Sequence, residues 1–190
     1  MIDHYIHPSS FIDKGAKIGK NTKIWHFSHI MKNSKIGKNC NIGQNVVISP
    51  DVIIGNNVKI QNNVSVYTGV ICEDDVFLGP SCVFTNVINP RSQVNRRNNY
   101  SKTILRKGCT IGANSTIICG LELGSFSFIG AGSVITKDIG PYELIVGNPG
   151  KRIGYMSEFG NRLIFNKENI AKCDESGERY LLKKNKVFKL

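Results

Sequence analysis

Residues 30–60 read IMKNSKIGKNCNIGQNVVISPDVIIGNNVKI, with isoleucine at every sixth position: Ile30, Ile36, Ile42, Ile48, Ile54 and Ile60. The count runs back through Ile24, Ile18, Ile12 and Ile6 and forward through Val66, Cys72, Leu78 and Phe84. It resumes at Leu105, Ile111, Ile117, Leu123, Ile129 and Ile135. Four residues beyond most of these stands a small or branched side chain, among them Ser28, Cys40, Val46 and Val58, and Gly often follows directly, as at Gly37, Gly43 and Gly55. A period of six matches neither helix nor strand alone. It matches a short strand alternating with a tight turn, where Gly and Asn take conformations that branched residues avoid. Three such units close a triangular coil, coils stack at about 4.8 Å, and the aliphatic residues fill the prism as a central column.

This hexad resembles the left-handed parallel β-helix of the hexapeptide-repeat acyltransferases, an exception to the right-handed rule for parallel crossovers. The expected fold class is therefore all-β: a left-handed parallel β-helix of six to seven coils over residues 1–140, with an inserted loop at about 86–104. Residues 141–190 are expected to hold a coenzyme-binding turn and a cap. Positions 30, 48, 66 and 84 fall on one face; re-entry on the next face at Leu105 returns Ile117 and Ile135 to the first. The intervening NVINPRSQVNRRNNYSKTI is too polar to enter the prism and projects outward, and an insertion of this length is usually functional.

Composition narrows the function classes. The 190 residues are 41% hydrophobic and 21% charged, as in an ordinary folded domain. No run of about 18 apolar residues suggests membrane insertion, and MIDHYIHPSS lacks the zones of a secretory signal, so a cytoplasmic protein is expected. Six cysteines form no CxxC pair, and Cys40, Cys72, Cys82 and Cys109 fall on inward positions; reduced, packed thiols are expected. The net charge of +11 implies an anionic partner: nucleic acid, membrane or a phosphorylated small molecule.

Val76–Leu121 contains no Asp or Glu but holds Arg91, Arg96, Arg97, Lys102, Arg106 and Lys107, a candidate anion trap. Arg forks suit phosphate or carboxylate; with only Tyr100 to interleave and no basic helix, nucleic acid is not the expected partner. All four histidines (His4, His7, His26 and His29) lie in the first two coils, so no three converge from later coils on a zinc ion, and no metal is expected. His29 lies three coils, about 14 Å, below Phe84, too far to act on a group held beside Asn86. Asn86, where the regular coil gives way to the loop, is the candidate catalytic residue. Its amide orients an amine but is no general base. Asn62, Thr68, Asn89 and Arg91 are the candidate substrate-side residues. At the end of the repeat, Gly130 and Ala131 are expected to leave backbone groups accessible, and the Gly147-Asn148-Pro149 turn delivers Lys151 and Arg152, cations suited to phosphates.

The segment IGAGSVITKDIGPYELIVGNPGKRIG resembles the coenzyme A end of hexapeptide sugar acyltransferases. With KIWHFSHI, QNNVSVYTGVICEDDVFLGPSCVFTNVINPR and GYMSEFGNRL, the chain is similar nearly end to end to UDP-2-acetamido-3-amino-2,3-dideoxyglucuronate N-acetyltransferases of surface-polysaccharide (lipopolysaccharide) biosynthesis. That resemblance implies acetyl transfer from acetyl-CoA to the 3-amino group of a UDP-linked amino uronic sugar, in a homotrimer with sites between subunits. The family pattern has Glu where Thr68 stands. Two alternatives are an N-acyltransferase for a dTDP-linked 3- or 4-amino deoxysugar and a non-enzymatic trimeric scaffold. The tail is expected to form a short helix around Tyr155–Gly160 and a hairpin from Tyr180 through Lys184-Asn185 to Phe188.

Overall fold

A computed structural model describes residues 3–97 and 99–190; Met1 and Ile2 of the amino-terminal stretch and Asn98 of the loop lie outside the described residues. Short strands stack in parallel on three faces of a prism. Face I carries Tyr5–Ile6, Lys23–Ile24, Asn41–Ile42, Lys59–Ile60, Phe77–Leu78, Thr110–Ile111, Phe128–Ile129 and Glu143–Val146. Face II carries Phe11–Ile12, His29–Ile30, Val47–Ile48, Ser65–Val66, Val83–Phe84, Thr116–Ile117 and Val134–Ile135. Face III carries Lys17–Ile18, Lys35–Ile36, Ile53–Ile54, Val70–Cys72, Thr103–Leu105 and Glu122–Leu123, and an isolated bridge from Leu123 to Ile139 extends it. Coils are numbered from the amino end by their face I strand. The phase across the loop is as counted: Leu105 pairs with Cys72, and Ile117 and Ile135 stack above Phe84.

The inward residue of each strand forms the core, with Ile24, Ile42, Ile60, Leu78, Ile111 and Ile129 all fully buried on face I alone. At about 1.5–3 kcal/mol for each buried aliphatic side chain, this column is the main source of stability. The third residue past most inward aliphatics sits at a corner with positive φ, and Asn is the residue found there most often: Asn21, Asn33, Asn39, Asn45, Asn57, Asn63 and Asn114. Asn tolerates that conformation, and its amide also bonds the next coil, as from Asn57 Nδ2 to Asp75 at 2.8 Å. The Gly directly after the aliphatic residue has a different reason. A Cβ on Gly55 would lie 2.6 Å from the Glu73 carbonyl carbon, so the coils approach each other there closely enough to exclude a side chain.

Hydroxyls inside the corners are satisfied by the neighbouring coil. Thr22 Oγ1 donates to Gly37 O at 2.8 Å and accepts from Cys40 N at 3.0 Å; Ser28 does the same for Gly43 and Val46. All six cysteines are free and buried, and burial pushes the Cys82 and Cys109 thiols up to about 12.

Three expectations are corrected. The coil runs past residue 140, because Glu143–Val146 adds an eighth rung on face I. The inserted loop ends at 102, because Thr103 already pairs with Val70. No helix forms at 155–160: Tyr155 ends the strand Lys151–Tyr155, which runs antiparallel to Glu143–Val146 and covers the open edge of the sheet, and the chain then reverses in a turn closed by Gly160 N to Ser157 O at 3.1 Å, with Met156 bridging Arg162. The hairpin is present as Arg179–Lys183 and Lys186–Lys189, with Lys184 and Asn185 both at positive φ, and Ile170–Lys172 adds a third strand. Tyr155, Leu163, Ala171, Cys173, Tyr180 and Val187 form its small core, joined to the coil through Tyr142, whose ring meets Tyr180 edge-on at 5.8 Å.

Candidate functional site

Asn86 sits half-buried at the edge between faces II and III in coil 5, at the root of the loop. Both limbs of that root are tied down. Ser101 N donates to Asn86 O at 3.0 Å, and Thr85 Oγ1 accepts from Cys119 N of coil 6 at 2.9 Å. On the same edge one coil below, Thr68 Oγ1 donates to Pro50 O at 2.9 Å, which holds the threonine in place. Asn89 and Arg91 are exposed beyond Asn86, where Arg91 and Val94 bridge a turn. Asn86 and Thr68 are thus brought to one edge, and Asn89 and Arg91 lie on the exposed loop that leaves it.

The cations divide into two groups. Arg106 is engaged on face III: Nε contacts Glu122 at 2.8 Å and Nη1 contacts Glu73 at 2.8 Å. Those bonds, to Glu122 first and then Glu73, push the guanidinium still further above its ordinary range and hold the Glu122 carboxyl below its own. Lys107 lies 3.8 Å from Asp75. The acid-free stretch is therefore not an unbroken anion trap, because two of its cations meet carboxylates brought from outside it. Arg91, Arg96 and Arg97 make no ion pair among the described residues. Arg96 Nε is buried without a hydrogen-bond partner, an arrangement that costs free energy until an acceptor is supplied.

The other predicted residues occupy a different edge. Asn62 lies between faces I and II in coil 4, where its Oδ1 accepts from Gln44 N at 2.9 Å. Gly130 and Ala131 follow the coil 7 strand on that edge. Gly130 is less available than expected: its N–H bonds Ile145 O, and its carbonyl accepts from Ser115 and Ser133 hydroxyls at 3.0 and 2.7 Å. Ala131 is exposed. Lys151 and Arg152 stand opposite Val146 and Ile145 at the top of face I. Lys151 is exposed, whereas Arg152 bonds Glu143 at 2.8 Å and lies over the Tyr155 ring at 5.1 Å. Within one chain, then, the loop edge and the edge bearing Asn62, Gly130 and Ala131 flank face II and do not meet.

The amino-terminal histidines are locally engaged. His29 Nε2 lies 2.7 Å from Asp13 Oδ1, and this bond holds the Asp13 carboxyl below the usual range. His7 stacks on His26 with centroids 3.5 Å apart, and desolvation lowers its basicity. Among the described residues no group of three His, Cys, Asp or Glu side chains is placed to hold a metal ion, and no helix is long and apolar enough to cross a membrane.

Residues 15–50 match the family described as bacterial transferase hexapeptide (six repeats), and residues 35–68 and 104–137 match the hexapeptide repeat of succinyl-transferase. The chain thus carries hexapeptide repeats over those stretches, and its prism is the left-handed parallel β-helix. It is similar to a dTDP-3-amino-3,6-dideoxy-alpha-D-galactopyranose 3-N-acetyltransferase of Aneurinibacillus thermoaerophilus, 44% identical over 81 residues, 43% of this chain and 41% of the relative. The same fold occurs in the acetyltransferase domain of PglB from Neisseria gonorrhoeae FA1090, solved with acetyl coenzyme A. There the TM-score is 0.56 at 18% identity, over 80% of this chain and 58% of that one. It occurs also in a hexapeptide transferase family protein from Anaplasma phagocytophilum, with TM-score 0.55 at 21% identity, over 82% of this chain and 81% of that one. The chain spans 41% of the length of that curated relative, and 36% of a serine acetyltransferase from Buchnera aphidicola that it also matches.

Proposed function

We propose that the protein is an acetyl-CoA-dependent N-acetyltransferase acting on the 3-amino group of a UDP-linked amino uronic sugar, and that it works as a homotrimer. The observation that carries the reading is the rooted loop: Asn86 lies fixed at its base, and Arg91, Arg96 and Arg97 along the loop make no ion pair among the described residues. Such a constellation suits an anionic acceptor with an amine to be oriented.

What supports a trimer is face II. Its outward residues Phe11, His29, Val47, Ser65, Val83, Thr116 and Val134 include no Lys, Arg, Asp or Glu, whereas face I carries Lys23 and Lys59 and face III carries Lys17, Lys35 and Glu122. Phe11 is 72% exposed and Val83 49%, an apolar strip that two further copies would cover. With face II turned toward a threefold axis, the edge bearing Ala131 and Asn62 in one copy lies beside the edge bearing Asn86 and Thr68 in the next. The two sets of site residues then share a groove.

In that groove Asn86 orients the neutral sugar amine toward the thioester carbonyl, and a backbone N–H near the last coils polarises its oxygen. Lys151 meets the coenzyme phosphates, with Arg152 available once it is drawn from Glu143. The chain offers no strong base at Asn86, and a thiolate leaves with little acid assistance. A second reading, a dTDP-linked 3-amino deoxysugar acceptor, is favoured by the 44% identity to the Aneurinibacillus enzyme. Incubation with acetyl-CoA and a panel of UDP- and dTDP-linked amino sugars, read by free thiol release, tests both. Release with the UDP-linked 3-amino uronate is expected; release with none of the panel means a scaffold. Light scattering at micromolar protein should give the mass of three chains, and Val83→Lys should lower it.

A further inference from the structure

The core column is closed at one end and open at the other. At the carboxyl end Ile129, Ile135 and Ile145 are no more than 2% exposed, under the strand Lys151–Tyr155 and the turn at 147–150. At the amino end Ile6, Ile12 and Ile18 are only half-buried, and among the described residues no strand lies beneath theirs. Tyr5, His7, Phe11, Asp13, Lys17 and Gly19 all donate their N–H groups upward to coil 2, so the alternating Ile6, Ile12 and Ile18 turn their backbone groups to the open side. A collar of charge surrounds this end. Residues 3–40 hold seven lysines against Asp3 and Asp13, whereas residues 41–76 hold one lysine against four acidic residues. Lys20 lies 3.4 Å from Asp3, and Asp13 is taken by His29. Lys14, Lys17, Lys23, Lys32, Lys35 and Lys38 are exposed and make no ion pair among the described residues. All six belong to coils 1 and 2, within about 5 Å of the lowest rung in height, a step that a lysine side chain spans.

We propose that the amino end of the prism docks on the surface of an anionic lipid bilayer, at the depth of the headgroups. The lysines meet lipid phosphates there, while their methylene stems lie along the apolar disc of Ile6, Ile12 and Ile18. Tyr5, 43% exposed on the lowest rung of face I, has the amphipathic ring that suits the same layer. The free backbone groups of the lowest rung find partners among headgroups and water, whereas hydrocarbon would leave them unpaired, so the end rests at the interface and does not enter the bilayer. Two other occupants fit less well. A second copy seated end to end would press one lysine collar against another, and a nucleic acid would use the charge and leave the apolar disc uncovered. In the trimer proposed above the three open ends share a plane and engage one membrane together. The docking is independent of which sugar is acetylated.

The full protein is sedimented with vesicles of phosphatidylcholine and with vesicles of phosphatidylcholine and phosphatidylglycerol. Binding to the second and not the first is expected, with release as salt rises from about 0.1 to about 1 M and the screening length falls from about 10 to about 3 Å. Lys14→Gln combined with Lys17→Gln should lower the partition coefficient at least about 10-fold, since each lysine at an anionic surface contributes roughly 5-fold. Acetyl transfer in solution, read by thiol release, should be unchanged in that variant. Lys183→Gln combined with Lys186→Gln, on the exposed cap hairpin, should change the partition less than about 2-fold. Orientation is read from Trp25, the only tryptophan, which follows the coil 2 strand. Lipid spin-labelled at the headgroup should quench its emission, whereas docking by the cap would hold it about 29 Å away, six rungs at the strand spacing, and leave it unquenched. Absence of binding to the anionic vesicles, equal loss in the two lysine pairs, or an unquenched Trp25 overturns the proposal. So does retention of duplex DNA without vesicle binding, which assigns the collar to nucleic acid, or a mass of six chains without vesicle binding, which assigns the open end to a second trimer. None of these outcomes touches the acetyl-transfer reading, which the thiol assay tests by itself.

Discussion

The coils and the loop that interrupts them are built on opposite terms. Around Ile60 every backbone group meets the coil above or below, as Gly43 N meets Ile60 O at 2.7 Å and Gln61 N meets Leu78 O at 2.9 Å, and the side chain is fully buried. Around Arg91 the chain is exposed, and its local bonds are the bridge to Val94 and the tie between Ser101 and Asn86 at the root. The coil is a stack in which each element supports the next; the loop is a short arm hung from a fixed anchor. Substitutions in the first should therefore be read in stability and those in the second in chemistry.

The sharpest test lies in the column. Ile60→Ala removes a fully buried side chain between two coils and should lower unfolding free energy by about 2–5 kcal/mol in urea titration. Next comes Arg91→Ala, expected to lower transfer efficiency toward an acidic acceptor roughly 10- to 150-fold, the equivalent of about 1.5–3 kcal/mol for a lost charged contact, while stability moves by no more than about 0.5 kcal/mol. A matched acceptor neutral at C6 should lose much less, and Arg91→Lys should restore only part. Equal loss with both acceptors would mean that Arg91 reads the diphosphate or holds the loop, and a large stability loss would break the contrast itself.

Gly55→Ala puts a methyl group against the Glu73 backbone and should cost about 1–3 kcal/mol without touching the substrate side. The smallest effect is expected at Asp13. Its bond from His29, helped by Lys32 N, lowers its folded pKa, so the carboxylate stabilises the fold above the unfolded value near 4, and this contribution disappears as pH falls through the lower folded value. The gap in urea midpoint between wild type and Asp13→Asn should be present at pH 5 and close progressively below about pH 4; a gap that persists at pH 2 would assign the difference to packing.

By itself the sequence determined the column, the corners and the phase of the stack. Ile117 and Ile135 could be placed above Phe84 by counting, and the corner asparagines by their tolerance of positive φ, because each coil touches only its neighbours at a constant offset. That regularity turns a three-dimensional pairing into a local rule. The tertiary structure alone decided everything that breaks the offset. Arg106 meets Glu73 and Glu122, 33 and 16 residues away, and so leaves the candidate anion-binding set; Gly130 spends its backbone groups within the coil; Lys151–Tyr155 turns back as a strand, and a turn follows it at 156–160 where a helix was expected. The sites divide the same way. Asn86 and Arg91 were legible as a break in the repeat, but their separation from Ala131 across face II was not. Nor was the open amino end of the column, because counting gives Ile6, Ile12 and Ile18 the same inward place as the buried Ile24, Ile30 and Ile36. Hexad counting says which residues point inward, whereas a site is made of outward residues from different coils, and these meet only once the prism has closed.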